Sequence, residues 1–296
     1  MRRHVIPVVA LLVLAGCGNA DLTCSSSTTL DALTMCIQAQ MPASGSNGYV
    51  APTVDQRADW QRVVTQMLQG KCDFAVPASL SGMVHVRTFT DTSNSRNYCL
   101  LMEVRDQNGN GVVDNGFGTF ITYRGAARQV SHQAVHPIAD SATENQAVSV
   151  FRDTDSRSFL MAGAHRDANS AMSTCRPSFP ESDPSHNSST MTQATNEALL
   201  AYYGPTSWFA IQWHGMAAAT CPMTDVYPSH GRDVATAPTD KIAILRQNVL
   251  AAHGTWDVDL PGLPGSERCR LNATENVQGR LLNGGTAANV FGTEAS

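Results

Sequence analysis

Residues 158–165 read SFLMAGAH and residues 208–215 read WFAIQWHG, and these two apolar runs decide the fold. Each run has the length of a strand and carries a histidine at or next to its end, His165 in the first and His214 in the second. They alternate with stretches of helical character at 144–151, 190–204 and 239–254. Strands interleaved with helices indicate a βαβ-type sheet. We therefore expect an α/β domain over residues 131–296, with helices flanking the sheet.

The chain before residue 131 has a different texture. Residues 83–105 and 118–125 contain alternating or continuous apolar runs that predict strands. Residues 54–70 place Trp60 and Val64 at helical spacing, with Gly70 as a stop. We expect a small β-rich unit over residues 51–130, preceded at 18–50 by a Ser- and Thr-rich tether that includes a short helix near 30–40.

The N-terminus resembles an export signal. Arg2 and Arg3 precede an apolar run over residues 5–14, a basic start and hydrophobic core typical of secretion signals. The run is shorter than the roughly 20 residues that cross a bilayer. Residues 14–17, LAGC, resemble the lipobox of bacterial lipoproteins, which implies cleavage after residue 16 and a lipid on Cys17. The alternative is an ordinary signal followed by a coincidental cysteine. With Gly18 next, the resemblance favours attachment to the outer membrane of the cell envelope.

Charge and cysteine content narrow the class of protein. The net charge is −5 and no basic run is present, which argues against a nucleic-acid partner. Eight cysteines in an exported chain predict disulfides. The sequence contains no CxxC pair, and this absence argues against a zinc site made of thiolates. If Cys17 carries the lipid, seven cysteines remain, so one of them has no partner for a disulfide within the chain. Proximity along the chain predicts Cys24–Cys36, Cys72–Cys99 and Cys175–Cys221, with Cys269 either free or paired to a segment beyond this chain.

Residues 106–114, DQNGNGVVD, match the first nine positions of a calcium loop. The oxygen ligands would come from Asp106, Asn108, Asn110, the Val112 carbonyl and Asp114. Phe117 stands where such a loop has a bidentate glutamate, and the flanks are strand-like rather than helical. The alternative is a tight Asn-Gly hairpin turn between two strands. Either interpretation gives this segment a structural role.

Histidines cluster after the predicted strands of the second domain. They are His136 in AVHPIAD, His165 in AGAHR, His186 in SDPSHN and His214 in QWHG, and Asp140 and Glu144 follow the first. Groups at the carboxyl ends of parallel strands line a ligand crevice. Histidines and a carboxylate converging there match the three protein ligands of a catalytic zinc. The alternative is a set of hydrogen-bonded structural histidines, because no HExxH-type motif is present.

The same segments resemble a family of zinc enzymes. The runs His214-Gly215, Asp225-Val-Tyr227 and Gly231-Arg-Asp233 are similar to "LHG…VYVGG.D" in phage-type poly-γ-glutamate hydrolases. His136 followed by Thr143-Glu144 is similar to their "PHGG…TSE", and residues 269–280 to their "CNRG" stretch. Residues 130–285 also resemble a group of uncharacterised secreted proteins that share "HP..D", "AGAHR.AN", "SD..HN" and "FHG". The resemblance implies a zinc-carboxypeptidase-like α/β fold with a mixed sheet.

The resemblance also assigns roles. It makes His136 and His214 zinc ligands, with Glu144 as the third and Asp140 competing for that place. His165 and His186 would contact substrate, orient a ligand or move protons. Arg166, Arg232 or Arg280 would pair with a substrate carboxylate, or alternatively lie as surface charges or internal ion pairs. The general base of the family falls on Glu294, with Glu275 as a second candidate.

These expectations combine into one leading function. It is a membrane-anchored, zinc-dependent hydrolase of amide bonds in a peptide or amino-acid polymer. The alternative is a non-catalytic envelope lipoprotein whose hydrolase-like domain is a degenerate binding scaffold. A third interpretation, a calcium-stabilised adhesin-like module, rests on residues 106–114 alone.

Overall fold

The computed structural model describes residues 22–264, 269, 271–285 and 290. Its strands are β1 (Val84–Asp91), β2 (Arg96–Glu103), β3 (Thr119–Tyr123), β4 (Arg128–Ala134), β5 (Ser156–Met161) and β6 (Phe209–Trp213). Its helices are α1 (Leu30–Ala39), α2 (Val54–Leu68), α3 (Thr143–Asp153), α4 (Met191–Tyr203), α5 (Lys241–Ala252) and α6 (Val277–Leu282), with a 3₁₀ turn at Ala78–Leu80. In the part of the chain so described, none of the helices has both the length and the apolar character needed to span a membrane.

The strands form a single six-stranded sheet in the order β1-β2-β3-β5-β4-β6. The pairs β1–β2, β2–β3 and β3–β5 are antiparallel, whereas β4 runs parallel to both β5 and β6. The prediction of an α/β fold with a mixed sheet flanked by helices is confirmed. The predicted boundary near residue 130 falls within β4, and strands from both sides of it hydrogen-bond in the same sheet.

Alternation along the strands separates two hydrophobic cores. Leu101, Phe120 and Leu160 pack with α2 and α4 on one face of the sheet. Leu100 and Phe159, each one position away on the same strands, pack with α1 and α3 on the other face. Because successive strand side chains point to opposite faces, this period of two gives three layers, helix, sheet and helix.

Helix α2 shows how local sequence sets an element. Thr53 and Gln56 form a reciprocal capping box, in which each side chain accepts from the backbone N–H of the other residue. Trp60 and Val64 lie on its fully buried face. Gly70 follows the helix with a φ of +85°, a conformation that glycine adopts without strain. The predicted helix and its stop are confirmed.

The cysteine pairing is correct in two of its three predicted bonds. Cys24–Cys36 and Cys72–Cys99 are confirmed. The predicted Cys175–Cys221 bond is wrong, because Cys221 pairs with Cys269, with their Cα atoms 5.0 Å apart. Folding brings the segment after β6 against the segment around residue 272, where the Tyr227 hydroxyl donates to the Asn272 side chain at 2.9 Å.

Among the described residues, the free thiol is therefore Cys175 and not Cys269. It lies in the connection between β5 and α4, half-buried, and its Sγ donates to the His186 carbonyl at 3.1 Å. Proximity along the chain favoured the wrong partner because the pairing depends on two segments that only the fold brings together.

The sheet topology changes direction beside β4. The chain leaves β4 toward α3, on one face of the sheet, and leaves β5 toward α4, on the opposite face. In open α/β sheets, ligands bind where neighbouring connections diverge in this way, at the carboxyl ends of the strands. The loops that begin at residues 135, 162 and 214 therefore meet at this edge.

Candidate metal centre

Three predicted side chains meet at this edge of the sheet. His136 follows β4, His214 follows β6, and Asp140 lies in the turn that leads to α3. One ligand atom from each lies within 4.8 Å of the other two, which makes these residues a group that could hold a metal ion. His136 and Asp140 are buried, whereas the His214 side chain is 30% exposed, so the group opens to solvent on one side.

The two distances from Asp140 to the histidine nitrogens match the ligand spacing around a tetrahedral ion, and the third pair of ligand atoms lies within 4.8 Å. Asp140 Oδ2 lies 3.3 Å from His136 Nδ1 and 3.4 Å from His214 Nδ1. Ligands bonded at about 2.0–2.1 Å to a tetrahedral zinc lie about 3.3–3.4 Å apart. Hydrogen bonds from nitrogen to oxygen are usually shorter, about 2.9–3.0 Å. Two imidazole nitrogens and one carboxylate oxygen are also a donor set that zinc accepts, so the residues present fit the ion.

The sequence left two candidates for the third ligand, Glu144 and Asp140, and Asp140 is the one that lies beside the two histidines. The backbone N–H of Asp140 donates to the His136 carbonyl at 2.9 Å, and this single turn brings the carboxylate back beside the ring. Gly215 N donates to Asp140 Oδ2 at 3.0 Å and holds it there. Glu144 lies in the first turn of α3 and accepts from Gln38 of α1 at 2.6 Å. The geometry therefore includes Asp140 in the group and leaves Glu144 out of it.

Asp183 is a functional candidate that the sequence did not reveal as such. Its Oδ1 lies 3.1 Å from His136 Nε2, and its Oδ2 lies 2.9 Å from His186 Nδ1. Metal-binding histidines commonly donate their second ring N–H to a carboxylate in this way. The signal available was the position of Asp183 in SDPSHN, three residues before His186. His186 therefore contacts Asp183, which in turn contacts His136, and its ring stacks on Phe179 with centroids 3.5 Å apart.

The histidines and carboxylates shift one another's pKa values. Burial raises the pKa of Asp140 and Asp183, but hydrogen bonds from the neighbouring histidines outweigh it and hold both pKa values well below their usual range. Burial lowers the pKa of His136, but its two carboxylate partners outweigh burial and raise that pKa. Burial lowers the pKa of His214. Both carboxylates are ionised at neutral pH, whereas the raised pKa of His136 favours its protonated ring. A metal ion bound at this group would therefore displace a proton from His136.

Arg166 and His165 lie in the loop after β5. Arg166 Nη1 is 3.8 Å from Asp140 Oδ1, an ion-pair distance too long for a hydrogen bond, and its side chain is 44% exposed. The guanidinium therefore lies beside the group with N–H donors facing solvent. His165 Nδ1 accepts from the backbone N–H of Asp167 at 3.0 Å, which shapes the loop.

Other predicted residues lie in ion pairs or loops. Glu275, the second candidate for the base, pairs with Arg176 at 2.6 Å. Arg280 donates to the Thr274 carbonyl at 2.9 Å, and Arg232 is exposed near Asp240. Cys17 and Glu294 lie outside the described residues.

The predicted calcium loop, residues 106–114, lies in a 15-residue connection between the antiparallel strands β2 and β3, which is longer than the tight Asn-Gly hairpin turn of the alternative. Asp106 accepts from the backbone N–H groups of Gly109, Asn110 and Gly111 at 2.8–3.2 Å. Asp114 pairs with Arg105 at 3.3 Å. The group of His136, Asp140 and His214 found among the described residues does not include this segment. The loop oxygens thus stabilise the turn itself, and a calcium role stays a prediction.

Comparison with protein-family models, with curated proteins and with solved structures found no match to this chain. The fold and the candidate centre therefore rest on the chain's own residues.

Proposed function

We propose that this chain is a zinc-dependent hydrolase of amide bonds in a peptide or amino-acid polymer. The observation that carries the proposal is the group of His136, Asp140 and His214, with both histidine nitrogens 3.3–3.4 Å from one carboxylate oxygen. Three protein ligands with a side open to solvent are typical of catalytic zinc sites, whereas structural sites are closed by a fourth protein ligand.

Zinc bound there would lower the pKa of a water molecule to about 7 and polarise a substrate carbonyl. The chain's own residues supply the rest. Asp183 fixes the ring of His136, and Gly215 N fixes the Asp140 carboxylate. Arg166 would bind a substrate carboxylate with two parallel N–H donors, a geometry that lysine cannot provide. The resemblance to poly-γ-glutamate hydrolases supplies the assignment of Glu294 as general base.

The proposal places the enzyme in the cell envelope, attached through a lipid on Cys17. The disulfides Cys24–Cys36, Cys72–Cys99 and Cys221–Cys269 support an oxidising compartment, because such bonds are rare in the cytosol. The basic and apolar segment before Cys17 supports export. Peptides or γ-linked polymers of the envelope would then be within reach.

Metal analysis of the purified protein tests the centre directly. We expect about one equivalent of zinc per chain after preparation without chelators. His214→Ala, at a partly exposed position, removes a ligand without emptying the core and should lose most of that zinc. His85→Ala is the matched control, because His85 is exposed on β1, away from the group. A parent protein that retains less than roughly a tenth of an equivalent overturns the proposal.

Activity is tested separately. Release of new amino groups should be measured on peptides and on γ-glutamyl polymers, before and after removal of zinc with a chelator. The expected result is activity that a chelator abolishes and added zinc restores. A protein that binds zinc and cleaves neither substrate class supports the alternative of a non-catalytic binding domain.

A further inference from the structure

A chain of buried and half-buried amide side chains ends on Nε2 of His214, the ring nitrogen that does not face Asp140. Asn276 Nδ2 lies 3.1 Å from His214 Nε2 and 3.0 Å from Gln212 Oε1. An amide nitrogen can only donate, and its two hydrogens serve these two contacts. His214 Nε2 therefore accepts, and the proton of the neutral ring lies on Nδ1, facing Asp140 Oδ2.

An amide side chain can point its oxygen and nitrogen in two opposite ways, and here the contacts of Gln278 at the other end of the chain of amides fix which way is used. Gln212 Nε2 lies 3.3 Å from Gln278 Oε1. Gln278 is fully buried, and its Nε2 donates to the main-chain carbonyl of Pro184 at 2.7 Å. A main-chain carbonyl can only accept, so the amide of Gln278 cannot be reversed. Gln212 must therefore donate to Gln278 through Nε2.

A second, independent branch gives the same answer. Gln212 Nε2 also lies 3.3 Å from Gln133 Oε1. Gln133 donates to Asn196 Oδ1 at 2.9 Å, and Asn196 donates to the Thr192 carbonyl at 3.0 Å. Both branches end on carbonyls and both require Gln212 to present its oxygen to Asn276. Asn276 must then donate to His214.

This orientation opposes a metal at Nδ1 of His214. An ion bonded to Nδ1 replaces the proton there, and the neutral ring then carries its proton on Nε2. That N–H would face the NH₂ group of Asn276, a contact between two donors. We propose that Asn276 is a positioning residue that holds the proton of His214 on Nδ1 and thereby weakens metal binding at the His136–Asp140–His214 group. The metal part of this inference rests on the proposed function, whereas the position of the proton does not.

The proton position is measured by ¹⁵N NMR of the histidine rings in protein treated with a chelator, with His214→Ala used to assign the signal. The expected result is an unprotonated Nε2 in the parent, and a proton shifted to Nε2 in Asn276→Asp, which offers an acceptor. A parent with its proton on Nε2 overturns the inference, whatever the metal content.

The consequence for binding is measured by zinc competition with a chromophoric chelator. Asn276→Asp should bind zinc about 10- to 100-fold more tightly, the range typical of hydrogen-bond partners of metal ligands. Asn276→Ala removes the donor without adding charge and should bind zinc several-fold more tightly. Asn283→Asp is the matched control for added charge, because Asn283 is exposed and contacts backbone carbonyls.

The outcomes separate the two claims. Equal zinc affinity in the parent, Asn276→Asp and Asn276→Ala overturns the role of Asn276 in metal binding. A parent and variants that all fail to bind zinc overturn the proposed function, and the NMR result then decides alone whether Asn276 positions the ring.

Discussion

Replacing Asp183 with asparagine tests whether this carboxylate supports the metal centre. Asp183 is 3% exposed, and it lies between the rings of His136 and His186. Asparagine keeps the shape and one acceptor oxygen but removes the charge. A hydrogen bond to a charged group contributes about 1.5–3 kcal/mol and a neutral one about 0.5–1.5 kcal/mol. The difference, about 1–1.5 kcal/mol, corresponds to roughly five- to tenfold in affinity, so the zinc Kd should rise about five- to tenfold.

Chelator competition at constant pH measures this change. Asp167→Asn is the control, because it removes a charge from an exposed carboxylate that lies near His165 rather than His136. Thermal unfolding of the zinc-free proteins shows whether the fold is intact. If Asp183→Asn folds and its zinc Kd stays within about twofold of the parent value, a change of about 0.4 kcal/mol or roughly a third of the expected one, the carboxylate does not support a metal ligand and the reasoning is refuted.

Three further predictions concern stability. A Cβ on Gly163 would lie 2.5 Å from a backbone carbonyl of the neighbouring loop, so Gly163→Ala should lower the free energy of unfolding by about 3 kcal/mol in denaturant titrations. Gly254→Ala, whose Cβ would meet its nearest neighbour at 3.6 Å, should have little effect. Replacing Cys221 and Cys269 together with serine opens a loop closed over 48 positions and should cost about 2–4 kcal/mol, measured by the same titration against the parent. Burial raises the pKa of Glu103 to about 7 from its ordinary 4.5. Between these two pH values the folded chain keeps a proton on Glu103 that the unfolded chain has lost, so the free energy of unfolding should fall by about 3 kcal/mol as the pH rises from 4.5 to 7. Denaturation at a series of pH values should show this fall, and Glu103→Gln should remove it.

The predicted elements that the structure confirms are those with a strong apolar pattern. The runs at 158–165 and 208–215 became β5 and β6, and the stretches at 144–151 and 190–204 became α3 and α4. Their burial follows directly from apolar residues at a period of 2 or 3.6.

Strand β4 carried no such signal, although it lies inside the sheet. Its centre contains Ser131, His132 and Gln133, each no more than 2% exposed. These polar residues can be buried because residues from distant segments of the chain form hydrogen bonds with them. One example is Ser156 Oγ, which lies 3.0 Å from His132 Nε2. Hydrophobic pattern cannot show a strand whose buried side chains are satisfied by hydrogen bonds that only the fold creates.

The residues of the candidate centre also fall into some that the sequence could indicate and others that it could not. His214 could be found because it directly follows an apolar strand and so lies at the edge of the sheet. His136 follows β4, which has no apolar pattern, and is instead indicated by the carboxylates Asp140 and Glu144 that follow it and by the resemblance of this segment to a zinc-enzyme motif. The choice between Asp140 and Glu144 could not be predicted, because both follow His136 closely and only the turn before α3 decides which one folds back. Asp183 and Asn276 reach their histidines across 47 and 62 positions of sequence, and no local pattern relates them.

One sequence signal did point to the amide network. Gln212 stands inside an otherwise apolar run, two residues before His214. In a strand, residues two apart share a face, so a glutamine beside the histidine requires a polar partner on the side where the centre lies. A buried amide is costly unless its donors and acceptor are all used, and such a fully connected network holds its members in one orientation. A glutamine at this spacing from a candidate metal ligand therefore indicates that the orientation of the ligand, as well as its position, is set by the fold.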